Sequence, residues 1–490
     1  MQRKSSFLCS IIALSCVSLI ATPLLADSID DVVDVLRAKG ILSQPEYEAL
    51  KQRMAAHKQE TPTALQKPEP PAAFPAAAAL KPAPSPVGMM EKGIGVHIGP
   101  VDVSVSGEVN AFYVHDRVDR VPSSGAIAGG LASTGNTDSS SVRSGLLPGN
   151  FSIMIDTVQK GLDIGITFGL YPGLNSVMQV GGANSTGSPQ ALGTSGIDFR
   201  QQFITVGNGR IGTFKAGRDI GMFGSEAILN DLTLLGVGST GSGNIAPSNT
   251  SFGRIGLGYI YCDFIPQLTY MSPSFSGVQA GIGVFTPLAT VNFSGLSGAL
   301  TGHDQPQFQA KLTYTLPTGT MGRAKAKLWT NGITQKLESN SAKEALSVGH
   351  SLQGSGIDYG GKLTIGGADF VAYGYNGYGI GTTGLFFDAV TPSGGKRDSH
   401  GYYFQGAYTF NGRLTLAASY GLSHLDLAPA EVNSSLMKDN SSEVGALRFK
   451  LTDWLSLVAE YTHTDAKSHG GSSTSSDSVA AGSFLFFGGQ

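Results

Sequence analysis

Arg323, Lys325 and Lys327 alternate with Ala324, Ala326 and Leu328. On a strand, that spacing puts three bases on one face and three apolar side chains on the other. The same alternation turns Lys311, Lys362, Arg413, Arg448 and Lys450 towards the polar side of their strands. Arg200, Lys215 and Arg218 precede a long connection whose acids are Asp219, Glu226, Asp231 and Asp263. Acids and bases held apart across a narrow, low-dielectric space create a field that orders water and sorts solutes by charge. Such a field makes no covalent bond. Covalent chemistry is poorly served elsewhere too. The histidines (His57, His97, His115, His303, His350, His400, His424, His463, His469) include no H-x-x-x-H pair for a metal. There is no G-x-S-x-G elbow and no phosphate loop. An enzyme, a cofactor and a metal are therefore not expected, and a lipase or protease would need residues gathered only in space.

The elements that hold these charges follow a rhythm from Val101 to Phe487. Val101, Val103 and Val105 alternate with Asp102, Ser104 and Ser106, and Leu162, Ile164, Ile166 and Phe168 with Asp163, Gly165 and Thr167. Period two signals strands with one greasy and one wet face. Sixteen strands are expected, at about 101–115, 148–158, 161–170, 197–206, 209–217, 264–272, 275–285, 306–315, 322–333, 355–365, 368–378, 399–410, 413–425, 442–451, 454–465 and 478–487. Tight turns, Asn411-Gly412 the clearest, alternate with long Ser/Gly/Asn/Asp-rich connections. Phe308, Ala310, Leu312 and Tyr314 should face lipid, with Gln307, Gln309, Lys311 and Thr313 facing water. Tyr402, Phe404, Tyr408 and Phe410 should point out as well. Aromatics cluster near strand ends, as interfacial girdles do. A soluble sandwich or propeller shows similar alternation, but seldom with short and long loops in strict turn.

Only 14% of the 490 residues are charged, and 67 are glycine, against the roughly 25% and 7% of soluble domains. The net charge of −3 gives no reason to expect a nucleic-acid partner. Residues 1–26 read as a secretory signal: Arg3 and Lys4, then the apolar run Phe7 to Ile20, with cleavage expected after Ala26. Beyond it Cys262 is the one cysteine, so no intrachain disulfide is available. No later stretch of about 20 apolar residues offers a spanning helix. An exported membrane protein is then left with a closed barrel. Residues 27–60 read as a short helical hairpin, either a spacer or a self-associating module. Residues 61–99, with prolines at 62, 68, 70, 71, 75, 82, 84 and 86, read as an extended Pro/Ala linker. Residues 100–490 are the barrel domain.

IDFRQQFITVGNGRIGTFKAGRDIG (Ile197 to Gly221) and PQLTYMSPSFSGVQAGIGVF (Pro266 to Phe285) resemble the Gram-negative trimeric general porins over about residues 100–487. The resemblance implies an all-β, sixteen-stranded antiparallel transmembrane barrel in the outer membrane, a homotrimer, and passive diffusion of small hydrophilic solutes and ions. It also implies that the third long loop, about Arg218 to Asp263, folds into the lumen. The constriction would then be formed by Arg200, Lys215, Arg218, Asp219, Glu226, Asp231, Arg323, Lys325 and Lys327. Two features depart from the family pattern. The aromatics Phe484, Phe486 and Phe487 are followed by Gly488-Gly489-Gln490 where the family usually ends on an aromatic. The segment 27–92 is similar in layout to phosphate-selective porins. An anion or phosphate channel therefore stays open, as does a barrel anchor whose N-terminal helix binds peptidoglycan. Expected partners are outer-membrane lipid, further copies of the chain, and small solutes or ions.

Overall fold

The computed structural model describes residues 44, 47–48, 51, 87–90, 93–120, 126–174, 197–241, 250–317, 319–320, 322 and 324–488. In the segment expected as a helical hairpin, Gln44, Tyr47, Glu48 and Lys51 are helical; the rest of 27–60 lies outside the described residues, as does the leader. Among the described residues no helix is long and apolar enough to cross a membrane.

The remainder is mostly strand, joined by turns and long loops. A hairpin, β1 (Val87–Met89) and β2 (Ile94–Ile98), falls inside the segment read as linker and pairs with the start of β3 (Val101–Arg117). The short β4 (Ser139–Arg143) follows, then β5 (Asn150–Gln159), β6 (Leu162–Pro172), β7 (Ile197–Asn208) and β8 (Gly212–Ile220). The series continues with β9 (Phe264–Met271), β10 (Val278–Phe285), β11 (Gln307–Thr315), β12 (Lys325–Glu338), β13 (Ser351–Ile365) and β14 (Ala368–Tyr378). It ends with β15 (Asp398–Phe410), β16 (Leu414–Leu425), β17 (Met437–Lys450), β18 (Leu455–Ser468) and β19 (Ser473–Phe487). Every pairing is antiparallel, and β19 closes on β3 from Asp477↔Arg117 to Phe487↔Gly107. Leaving out β1, β2 and β4, sixteen strands form the closed wall. Closure pairs every wall strand on both sides, which is what a sheet in hydrocarbon requires.

The sixteen expected strands are all present, and several are longer than the alternation showed. β12 runs on to Glu338, β13 begins at Ser351, β17 at Met437 and β19 at Ser473. These additions carry polar residues on both faces, so the lipid-facing pattern stops before the strand does. The tight turns include Asn411 and Gly412 at φ 48° and 66°, the left-handed pair a type I′ turn needs.

The faces fall as expected. Phe308, Ala310, Leu312 and Tyr314 are exposed while Gln307, Gln309 and Thr313 are buried inside. The interior is not an empty tube. Tyr373, Tyr375 and Tyr403 point inwards and bury against Phe223, Tyr259, Ile260, Ile380 and Phe386, which come from long loops. The main hydrophobic core therefore lies within the barrel, between wall and inserted loops.

Candidate functional site

The third long loop, described over 221–241 and 250–263, lies inside the barrel against the wall. It opens with a short helix, α1 (Ser225–Asn230), and continues as a 3-10 turn over Leu232–Leu235. Its backbone lies against the wall and is held by wall side chains. Gln309 accepts from the N–H groups of Met222 (2.7 Å) and Phe223 (2.8 Å), and Asp358 from Gly224 (2.7 Å). Gln405 accepts from Leu232 N–H (2.5 Å), and Glu460 from Val237 (3.1 Å) and Gly238 (2.5 Å). Tyr403 Oη donates to the Ala227 carbonyl at 2.9 Å. These contacts satisfy polar backbone that burial would otherwise leave costly. Apolar docking adds to them: Leu235 and Val237 seat against Phe112, Val458 and Phe484.

The charged residues anticipated for the constriction sort into four kinds. Glu226, on α1, meets Lys311 at 2.6 Å and Lys327 at 2.8 Å, so one loop acid ties to two wall bases. Burial alone would raise its pKa. Lys311 and then Lys327 outweigh burial and hold the carboxyl below the ordinary glutamate range. Lys325 lies at inward parity one pleat nearer the periplasmic turn, opposite Thr364.

Three others are inward but neutralised. Arg200 is paired with Asp198 and stacked near the rings of Tyr171 and Phe264 (5.5 and 5.6 Å). A register shift opposite Gly169/Tyr171 turns it inwards. Lys215 is paired with Asp219, which also accepts from Gln201 at 2.9 Å.

Asp231 faces no passage. Its side chain is fully buried inside the loop, accepting from Thr233 N–H (3.0 Å) and Tyr259 Oη (2.9 Å), with Arg254 at 3.7 Å. It caps the 3-10 turn, a structural role.

Arg218 is on the wrong side of the wall. It shares parity with the exposed Phe214 and stands opposite Pro266, while Lys215 and Asp219 point in. The motif had suggested an inward base; the alternation Phe214, Ala216, Arg218 puts it outside. Arg323 lies outside the described residues.

The structure brings out charges that the constriction set omitted. Lys327 stands directly opposite Lys362 in the β12–β13 ladder. Asp102 stands directly opposite Asp156 in the β3–β5 ladder, with Asp163 at inward parity on β6 and His97 bonded to Asp102. Counting round the closed wall, β3 is the first strand and β12 the ninth of sixteen, so the two like-charged pairs face each other across the lumen. The signal was in the alternation: Asp102 sits between Val101 and Val103, Asp163 between Leu162 and Ile164, and Asp156 follows the outward run Ile153, Ile155.

The model of the family described as Gram-negative porin matches residues 72–469. Among solved structures, the chain is similar to the outer membrane channel DcaP of Acinetobacter baumannii, with 16% identity over 79% of this chain and 97% of that one, at a TM-score of 0.58. It is also similar to OmpT of Vibrio cholerae (13% identity, 79% and 98% covered, TM-score 0.47) and to Salmonella typhi OmpF in complex with daunomycin (12%, 79% and 98%, TM-score 0.46). No curated protein matches the sequence. The chain belongs to the Gram-negative porin family, and its barrel is an outer-membrane channel for the passive diffusion of small hydrophilic solutes.

Proposed function

We propose that the permeation path is polarised across its width, with a basic wall at Lys311, Lys325, Lys327 and Lys362 and an acidic wall at Asp102, Asp156 and Asp163. The observation that carries this is the paired arrangement, Lys327↔Lys362 against Asp102↔Asp156. Like charges directly opposite on a sheet cost stability, so a wall holding two such pairs gives up stability for a field. Other acids on the basic side are occupied: Asp358 holds Gly224 N–H and Asn331 Nδ2, and Asp369 is bonded to Thr364. The field favours dipolar and charged solutes over apolar ones, with a modest preference for anions on the lysine side. A dedicated oxyanion channel is the stronger form of the same reading. Purified protein in planar bilayers should give ohmic steps, and reversal potentials in a salt gradient should move towards cations for Lys362→Glu and towards anions for Asp156→Asn. Silent bilayers would favour the anchor reading, and unchanged potentials would remove the polarised path.

The finer assembly belongs to the same proposal. Signal cleavage near Ala26 delivers the chain to the outer membrane, where it forms a homotrimer of lipid-embedded barrels. The segment 27–60 is left in the periplasm to self-associate or to meet peptidoglycan. N-terminal sequencing of the mature product and its mass by light scattering test the first two; co-sedimentation with peptidoglycan, compared with a chain lacking 27–60, tests the last.

A further inference from the structure

We propose that the outer face of β7–β12 holds one lipid of the outer leaflet, its phosphate on Arg218 and its acyl chains in the groove below. Arg218 is exposed on the lipid side at the long-loop end of β8, one pleat beyond the level of Phe308. Its Nη1 donates to the Phe264 carbonyl at 2.6 Å, which fixes the guanidinium against the wall. Its remaining N–H donors bond no other described residue, and no carboxylate pairs with it among them. A planar guanidinium with free donors suits a phosphate, which accepts two parallel hydrogen bonds.

Below it the wall is concave and apolar. A depression of ≈ 940 Å³ runs between Ile204, Leu268 and Phe308 and is floored by Ala216, Ala310 and Gly332. Ala216, Ala310 and Gly332 fill little of the space between the larger Ile204, Phe214, Leu268, Ile282 and Phe308. A second hollow of ≈ 570 Å³ continues upwards through the shared Leu268 and Val284 to Thr286, His303 and Gln305. Apolar below and polar above is the profile of a lipid standing in one leaflet. Charge chooses the occupant. Lys336, the other outward base nearby, is already held by Asp304 (2.6 Å) and Glu338 (2.7 Å), so Arg218 is the cation left for an anionic headgroup.

The inference needs the barrel in a membrane but not the polarised lumen, so either can fail alone. The test uses the full mature chain in detergent, incubated with lipid A, gel-filtered and weighed by native mass spectrometry. Lipid A stripped of its phosphates serves as the control. Wild type should retain at least tenfold more lipid A than the control. Arg218→Gln should fall to the control level with its heat-modified gel migration unchanged. Ala310→Phe, which fills the groove from an exposed site, should lose both lipids. Equal retention by Arg218→Gln, or no retention by wild type, overturns the proposal. So does an Ala310→Phe chain that falls apart into single copies while holding lipid as before, because the groove would then be a contact between copies.

Discussion

Asp358 and Lys362 stand two pleats apart on the inner face of β13. Asp358 is fully buried, and the third loop lies across it with Gly224 N–H on its carboxylate. Lys362 is partly exposed and faces another lysine. Both obey the same inward parity. What differs is the covering: loop backbone over the upper residue, water over the lower one. The contrast holds round the barrel. Towards the long loops, Glu460 carries two loop N–H groups and Arg397 closes on Glu431 at 2.6 Å. Towards the tight turns, Lys325, Lys362, Asp156 and Asp163 face the lumen without ion pairs among the described residues. An inward charge becomes a structural tie where a loop covers it and a filter element where water does.

The largest effect should come from unseating the loop. Phe223 is completely buried between α1 and the wall. Phe223→Ala should cost about 3–5 kcal/mol of barrel stability, the usual toll for emptying an aromatic site. It should also raise open-channel noise as the loop loosens. Thermal unfolding in detergent followed by far-UV dichroism gives the first, single-channel recording the second. A quiet channel would mean that the wall hydrogen bonds hold the loop without its apolar seat.

The tie at Glu226 comes next, because it belongs to both regions: a loop acid on lysines that line the water. Its carboxyl is held below the ordinary value of 4.5. The stabilisation it gives is therefore complete above that pH and is lost as pH falls through the lower folded value. Its charged hydrogen bonds are worth about 1.5–3 kcal/mol together. Acidifying below pH 4.5 should destabilise wild type and increase channel noise. Glu226→Gln should show that noisier state at neutral pH and a flatter acid response. An acid response as steep in the variant would move the sensitive group elsewhere.

A smaller change is expected from Lys362→Glu, which leaves packing alone. Reversing one charge near the water-filled path alters the local potential by about 1 kcal/mol per unit charge in a high dielectric. A monovalent cation and anion shift in opposite directions, about 2 kcal/mol between them, which is about thirtyfold in their permeability ratio, read from reversal potentials. Thermal stability should rise slightly, since a like pair becomes an opposite one.

Much of the upper architecture was hidden from the sequence for a physical reason. Alternation reports only which face of a strand meets lipid, so Phe308 and Gln309 were legible, and so were all sixteen strands. It cannot report partners that arrive from a distant loop. Nothing in the residues around Gln309, Gln405 or Glu460 says that backbone N–H groups will land on them. Nor could spacing distinguish Asp231, a cap buried in the loop, from Glu226, a tie to the wall. The polar ends of β12, β13, β17 and β19 were missed because both their faces lie beyond the hydrocarbon. Arg218 is the opposite failure. Its parity with Phe214 was visible, and a family motif was allowed to outweigh it.

Arg218 therefore provides the comparison's sharpest control. Lys362, partly exposed, and Arg218, exposed, are bases near strand ends, one on each side of the wall. If parity decides function, Arg218→Glu should leave reversal potentials where they are, although it reverses as much charge as Lys362→Glu. The sheet and the hydrocarbon around it separate the side chain from the water-filled path. Arg218 is also held to the Phe264 carbonyl outside the lumen. A selectivity shift of equal size would place both residues on the conduction path. It would mean that the outward face of β8 communicates with the lumen, and the division between lipid-side and water-side charges would fail at this strand.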